Sequence, residues 1–92
     1  MFRTAKKAVD TFGKENQINM ATEELAELIV AINHYRRGRA GKDEVIEEIA
    51  DCYIMLRQLI YIVTDSMSFQ PIHEMLEKKV QCLQRRIEEW QR

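Results

Sequence analysis

Residues that form turns are scarce in this sequence. Its 92 residues include only three glycines and one proline, whereas a chain of many short strands needs frequent turn signals. Along most of the chain, apolar residues recur at steps of three and four, the spacing that places them on one face of an α-helix. We therefore expect an all-α protein, an antiparallel helical bundle built from a few long helices.

The apolar repeats divide the chain into about four helices. The first covers about residues 2–12 and is followed by Gly13, which is typical of a helix C-terminus. The second is expected over roughly 17–37 and the third over about 43–65. The fourth opens at Pro71, where the missing backbone N–H costs nothing.

Each of the two central helices is expected to bury one apolar stripe. The stripe of the second helix consists of Ala21, Leu25, Leu28, Ile29 and Ile32. The stripe of the third helix consists of Val45, Ile49, Cys52, Leu56, Leu59, Ile60 and Val63. The chain forms one domain, residues 1–92, and a helical chain this small has difficulty burying all of its apolar surface alone. We therefore expect self-association into a dimer or tetramer.

Composition and charge argue against several classes of protein. The formal net charge of −1 gives no reason to expect binding to nucleic acid or to an anionic membrane. The most hydrophobic run, from Cys52 to Val63, is interrupted by Arg57 and Gln58 and is shorter than the roughly 20 residues of a membrane span. The N-terminal residues lack the apolar core of a secretory signal, so we expect a cytoplasmic protein with two reduced cysteines.

Pairs of carboxylates lie beside the apolar stripes of both central helices. Measured from the stripe, Glu24 and Glu27 hold the same angular positions on the second helix that Glu48 and Asp51 hold on the third. If the two helices run antiparallel, the register that pairs Glu27 with Glu48 also pairs Glu24 with Asp51. Four acidic side chains would then converge on one region.

Such a cluster needs a counter-charge. Two carboxylates about 4 Å apart repel by roughly 4 kcal/mol at an effective dielectric constant near 20, so the cluster either shares protons or holds a cation. Oxygen ligands suit a hard ion such as Mg²⁺, with Mn²⁺ as an alternative. Neither His34 nor His73 has the spacing of a di-iron ligand, and no histidine or cysteine is spaced for zinc. The alternative is that these acids lie on solvated helix faces. Glu23 and Glu47 are expected either on such a face or in the outer part of the site.

The acidic motifs resemble the signature of a known family. Glu23-Glu24-x-x-Glu27, followed after 20 residues by Glu48-x-x-Asp51, resembles the EExxE…ExxD signature of MazG-like nucleotide pyrophosphohydrolases. The resemblance covers most of the chain. It implies an all-α oligomeric fold, Mg²⁺ bound by Glu24, Glu27, Glu48 and Asp51, and hydrolysis of nucleoside triphosphates to a monophosphate and pyrophosphate. Glu23 and Glu27 are the candidates for a general base.

The resemblance extends to candidate substrate-binding residues. Lys79 and Arg86 project on one side of the fourth helix, about 10 Å apart along its axis, and would bind phosphate. The alternative is that both extend from a core stripe or pair with glutamates. The family often has asparagine four residues after the lysine, where this chain has Leu83. Gln17 could contact the base or sugar, or lie in a solvated turn.

Two other functions compete with hydrolysis. A basic cluster at the end of the second helix, formed by Arg36, Arg37, Arg39 and Lys42, could bind nucleic acid. Cations at this position are also what the helix macrodipole favours, and four cations at a helix end are more often a solvated cap than a nucleic-acid site. The second alternative is a non-catalytic helical scaffold or a protein-binding module of the same fold.

Overall fold

The computed structural model describes all 92 residues and contains four α-helices and no strands. The helices are α1 (Phe2–Phe12), α2 (Lys14–Arg36), α3 (Lys42–Thr64) and α4 (Gln70–Gln91). The prediction of an all-α protein with about four helices is confirmed. None of the four combines the length and apolarity that crossing a bilayer requires.

The junction between α1 and α2 is a single residue. Gly13 has a φ angle of 94°, a conformation that a residue with a side chain adopts only at an energetic cost. Its N–H donates a hydrogen bond to the carbonyl of Val9. The carbonyl of Gly13 accepts a hydrogen bond from the N–H of Gln17, so the helical hydrogen-bonding pattern of α2 already begins here. The second helix therefore begins at Lys14, three residues before the predicted start near residue 17.

Both predicted ends of α3 and the predicted start of α4 agree with the structure to within one residue. The α2–α3 connection includes Gly38, whose φ of 72° suits glycine. Asp65 ends α3 in the left-handed conformation with a φ of 55°, and Pro71 lies in the first turn of α4. Gly41 is the N-cap of α3, which begins one residue before the predicted start at residue 43.

Helices α2 and α3 form an antiparallel hairpin in the predicted register. The side-chain amide of Gln17 donates to that of Gln58 over 2.7 Å, and both residues are buried. This pair lies ten residues before Glu27 on α2 and ten residues after Glu48 on α3, as an antiparallel pairing of Glu27 with Glu48 requires. Between them, the Cys52 thiol donates to the backbone carbonyl of Glu24 over 3.2 Å.

The faces that meet in this hairpin differ from the predicted apolar stripes. On α2 the face packed towards α3 consists of Gln17, Ala21, Glu24, Leu28 and Ala31, and on α3 the matching face consists of Val45, Glu48, Cys52, Met55, Leu59 and Ile62, all buried or half-buried. We call these two faces the seam. Larger residues of the predicted stripes, such as Ile29, Ile49 and Leu56, are exposed. The seam therefore keeps Ala21, Leu28, Val45, Cys52 and Leu59 of the predicted stripes and leaves most of their other bulky residues more exposed.

Helix α1 packs against α3 and α2 through Ala5 and Val9, both 2% exposed. The Tyr61 hydroxyl on α3 donates to the Asp10 carboxylate, which also pairs with Lys6. At the other end of α1, the Arg57 guanidinium lies 4.7 Å from the ring centres of both Phe2 and Phe69. These cation–π contacts tie α1 and the α3–α4 connection to α3.

Candidate metal centre

Three carboxylates from the two central helices converge at the middle of the hairpin. Glu24, Glu27 and Glu48 each offer an oxygen that lies within 4.8 Å of the other two. Glu24 and Glu48 belong to the seam and are half-buried, whereas Glu27 is exposed at its edge. The antiparallel register brings the carboxylates together, because Glu27 and Glu48 lie opposite each other and Glu24 is one turn before Glu27.

Two oxygens in this cluster are buried without a partner. One carboxylate oxygen of Glu24 and one of Glu48 are inaccessible to solvent and accept no hydrogen bond. Buried carboxylate oxygens are normally paired, since an unpaired one forfeits its hydration without compensation. A cation held among the three carboxylates would compensate both glutamates.

The environment raises the pKa of both half-buried glutamates, Glu24 and Glu48. Desolvation is the main cause for Glu24, and the charges of Glu27, Asp51 and Glu48 add to it. Desolvation is also the main cause of the raised pKa of Glu48, followed by the charges of Glu27 and Asp51. Both carboxyl groups are therefore held in surroundings that disfavour their ionised forms unless a positive charge is supplied.

The donor set fits a hard divalent ion. All three converging groups are carboxylates, the ligand type that Mg²⁺ and Mn²⁺ prefer. Cys52 lies beside them, but its pKa is raised by burial and by the charge of Glu24, and its thiol donates to a backbone carbonyl. A protonated thiol is a poor ligand, so the soft-metal chemistry of a zinc thiolate does not fit here.

The remaining acids of the motif lie around the cluster. Asp51 is half-buried and close enough to raise the pKa of Glu24 and Glu48, but its carboxylate is not among the three that converge. Glu23 is exposed and lines a recess beside Gln17 and Met20 rather than the cluster itself. Of the two base candidates, Glu27 alone belongs to the cluster.

A groove of about 410 Å³ opens next to the cluster, towards the loop between α2 and α3. Its polar lining residues are Glu27, His34, Glu44, Glu47 and Glu48. A volume of this order suits a small ligand. Its wall is strongly acidic, so a phosphate ester could approach only with cations in attendance.

The predicted substrate-binding residues lie elsewhere in this chain. Gln17 is buried, and its amide nitrogen donates a hydrogen bond to the side-chain oxygen of Gln58. Lys79 and Arg86 are exposed on α4 and form no ion pair or hydrogen bond. Within one chain, the structure therefore brings together three of the four predicted metal ligands but neither cation of α4.

Two residues of this region were not predicted. His34 lies seven residues after Glu27, two helical turns along the same face, and this spacing would have placed it in the groove. Gln58 interrupts an apolar run of α3, and a glutamine in such a run signals a buried partner, here Gln17. Comparison with protein-family models, with curated proteins and with solved structures finds no match to this chain.

Proposed function

We propose that the protein is a cytoplasmic, Mg²⁺-dependent nucleotide pyrophosphohydrolase, with Mn²⁺ as an alternative ion. The observation that carries this proposal is the convergence of Glu24, Glu27 and Glu48 from two antiparallel helices, with two buried oxygens that lack a partner. The order and spacing of the acidic motifs, which resemble those of MazG-like enzymes, support the same function. Glu24, Glu27 and Glu48 would hold the ion, and Asp51 would complete or orient the set.

The bound ion would neutralise phosphate charge and help to position the triphosphate. Glu27 or Glu23 would accept a proton from the attacking water through a carboxylate oxygen. The water oxygen bonds to the α-phosphorus, the bond from that phosphorus to the bridging oxygen breaks, and pyrophosphate leaves. The groove lined by His34 and Glu44 would receive the nucleoside.

Substrate binding would be completed in an oligomer. Lys79 and Arg86 are the proposed phosphate ligands, and they lie on a helix that barely contacts the rest of its own chain. We expect the active form to be a dimer or tetramer in which these cations reach a site that a single chain leaves without them. Gln17 remains a predicted contact to the base or sugar. For this contact, either its amide nitrogen must break the hydrogen bond to Gln58 or its amide oxygen must be used instead.

The test is Mg²⁺-dependent release of pyrophosphate from a panel of ribo- and deoxyribonucleoside triphosphates. Wild type should release pyrophosphate and monophosphate in equal amounts, and Glu27→Gln and Glu48→Gln should each lower kcat/KM by about 100-fold or more, as loss of a charge-stabilising group does. Glu15→Gln is the matched control, because it removes an exposed carboxylate from α2 far from the cluster along the helix.

Glu23 and Glu27 can be separated by a second readout. If Glu23 is the base, Glu23→Gln lowers kcat but leaves the Mg²⁺-induced rise in Tm intact, whereas Glu27→Gln removes that rise as well. Absence of turnover across the panel, together with an unchanged Tm on adding Mg²⁺, would instead favour the non-catalytic scaffold. Nucleic-acid binding that Arg37→Ala and Arg39→Ala abolish would favour the binding module.

A further inference from the structure

The groove beside the metal cluster presents hydrogen-bond acceptors and almost no donors. Four of its five polar side chains are carboxylates, and the fifth is the imidazole of His34. An ionised carboxylate only accepts hydrogen bonds. None of these carboxylates pairs with a cation of this chain, whose ion pairs lie on other surfaces. The groove is therefore complementary to a ligand that supplies donors.

The two ends of the groove differ in chemistry. At one end lie Glu27 and Glu48, which belong to the metal cluster. Glu44 precedes Glu48 by four residues on α3, so it lies about 6 Å farther along the hairpin. His34 follows Glu27 by seven residues on α2, a displacement of about 10 Å in the same direction, because the helices are antiparallel. A nucleotide with its phosphates at the cluster therefore places its base between Glu44 and His34.

The wall of the groove on α2 is apolar and lacks bulky side chains. Ala26, Val30 and Ala31 line it. In the hairpin register Ala31 lies opposite Glu44, so this apolar wall faces the carboxylate. Val30 is 50% exposed and gains from being covered. A planar aromatic base can cover these side chains while its polar edge meets Glu44.

A carboxylate distinguishes the nucleobases by the edge that each presents. Guanine offers two neighbouring donors, N1–H and the 2-amino group, which match the two oxygens of one carboxylate. Adenine and cytosine offer one amino group beside an unprotonated ring nitrogen, and uracil and thymine offer one N–H between two carbonyl oxygens. Those ring nitrogens and carbonyl oxygens would face a carboxylate oxygen with no proton between them. Guanine is therefore the base that a wall of acceptors favours.

We infer that the groove selects guanine nucleotides and that Glu44 is the specificity-determining residue, accepting hydrogen bonds from N1–H and the 2-amino group. This assignment rests on the proposed function, which puts the phosphates at the cluster. Glu44 is available for the base because its oxygens are not among those that converge there. Glu47 is adjacent to Glu48 in the sequence and level with the cluster, so it lies at the phosphate end. His34, half-buried at the far end, closes the groove beside the base.

The test measures the binding of GMP, IMP and UMP in the presence of Mg²⁺ by isothermal titration calorimetry. IMP differs from GMP only in lacking the 2-amino group, so it isolates one of the two hydrogen bonds. We expect IMP to bind about tenfold and UMP about 100-fold more weakly than GMP, the range of discrimination that a bidentate contact to a base provides.

Two neighbouring carboxylates in the first turn of α3 provide the variant and its control. Glu44→Gln keeps one acceptor and adds a donor, a pattern that matches N3–H and a carbonyl of uracil. It should weaken GMP binding about tenfold, remove most of the difference between GMP and IMP, and strengthen the binding of UMP. Asp43→Asn removes the same charge from the same turn. Asp43 does not line the groove, so its substitution should leave the ratio of GMP to UMP affinity unchanged.

Equal affinities for GMP and UMP in wild type would overturn the inference, as would a failure to bind any of the three nucleotides or a preference for GMP that survives Glu44→Gln. Binding needs no turnover, so the two proposals fail separately. A preference for GMP without release of pyrophosphate from any triphosphate would overturn the hydrolase and leave the base assignment standing. Release of pyrophosphate at the same kcat/KM from GTP, ITP and UTP would overturn the base assignment alone.

Discussion

Glu24 and Glu48 occupy positions in the seam that an apolar residue would fill in an ordinary helical hairpin. Each carboxylate has one oxygen that is buried and unpaired, and desolvation raises the pKa of both. The two side chains therefore work against the stability of the hairpin when they are ionised and no cation is bound. Residues that weaken a fold in this way are typical of a binding site, where the ligand provides the compensation.

These raised pKa values predict how stability depends on pH. A glutamate whose pKa is raised in the folded state binds more protons folded than unfolded between its ordinary value, 4.5, and the raised one. Without divalent ions, Tm should therefore fall as the pH rises from about 4.5 through the raised pKa values. Glu48→Gln should flatten this fall, because glutamine does not ionise. Thermal melts in chelator across this pH range provide the measurement.

Magnesium should reverse the trend. The ion binds the ionised carboxylates, so it releases protons, and its stabilising effect grows with pH. The Mg²⁺-induced rise in Tm should be larger at about pH 7.5 than at about pH 5, and absent in Glu48→Gln. The lowered pKa of Asp10, held down by its hydrogen bonds from Lys6 and Tyr61, acts below its ordinary value of 3.8 and so outside this window. A Mg²⁺ effect independent of pH would contradict a carboxylate site.

At the scale of the elements, the register of α2 against α3 was predictable because two acidic pairs repeat at equal angular positions. Glu27 and Glu48 do converge with Glu24. The buried face was predictable only in part from the apolar stripes, since Ala21 and Cys52 do pack the seam whereas Ile29, Ile49 and Leu56 of the same stripes are exposed. Hydrophobicity identifies the residues that need covering, but it does not distinguish an intrachain partner from a second chain.

The buried pair of Gln17 and Gln58 fixes this register, and substitution at both positions should show it. Gln58→Leu leaves the Gln17 amide buried without its acceptor, which should cost about 1–3 kcal/mol in the free energy of unfolding. Gln17→Leu should cost a similar amount, but the double variant should cost less than the two single changes together. Urea unfolding of the four proteins measures the coupling. Additive costs would mean that the hydrogen bond contributes little.

At the scale of the whole molecule, a single chain leaves many of its large apolar residues exposed. The central hairpin and α1 share a core whose fully buried residues are few and mostly small. Helix α4 was predicted correctly as a helix from its spacing and Pro71, yet its position could not be predicted, because local sequence does not specify which surface an amphipathic helix covers. The surroundings of Lys79 and Arg86 could not be predicted either, because they depend on where α4 packs.

If a second chain covers the apolar surface that one chain leaves exposed, stability depends on protein concentration. If two copies unfold together, each tenfold increase in concentration stabilises the dimer by about 1.4 kcal/mol, which corresponds to roughly 3–6 °C in Tm for a unit of this combined size. Calorimetry of wild type over about 1–100 μM should show this rise. Gln81→Glu, on the polar side of α4, should behave as wild type does, whereas Leu83→Glu, on its apolar side, should melt at a lower temperature that changes little over the same range, because its chains are already apart. A wild-type Tm that does not change with concentration would mean that each chain folds alone and that its exposed apolar residues, such as Ile29 and Val63, stay in water.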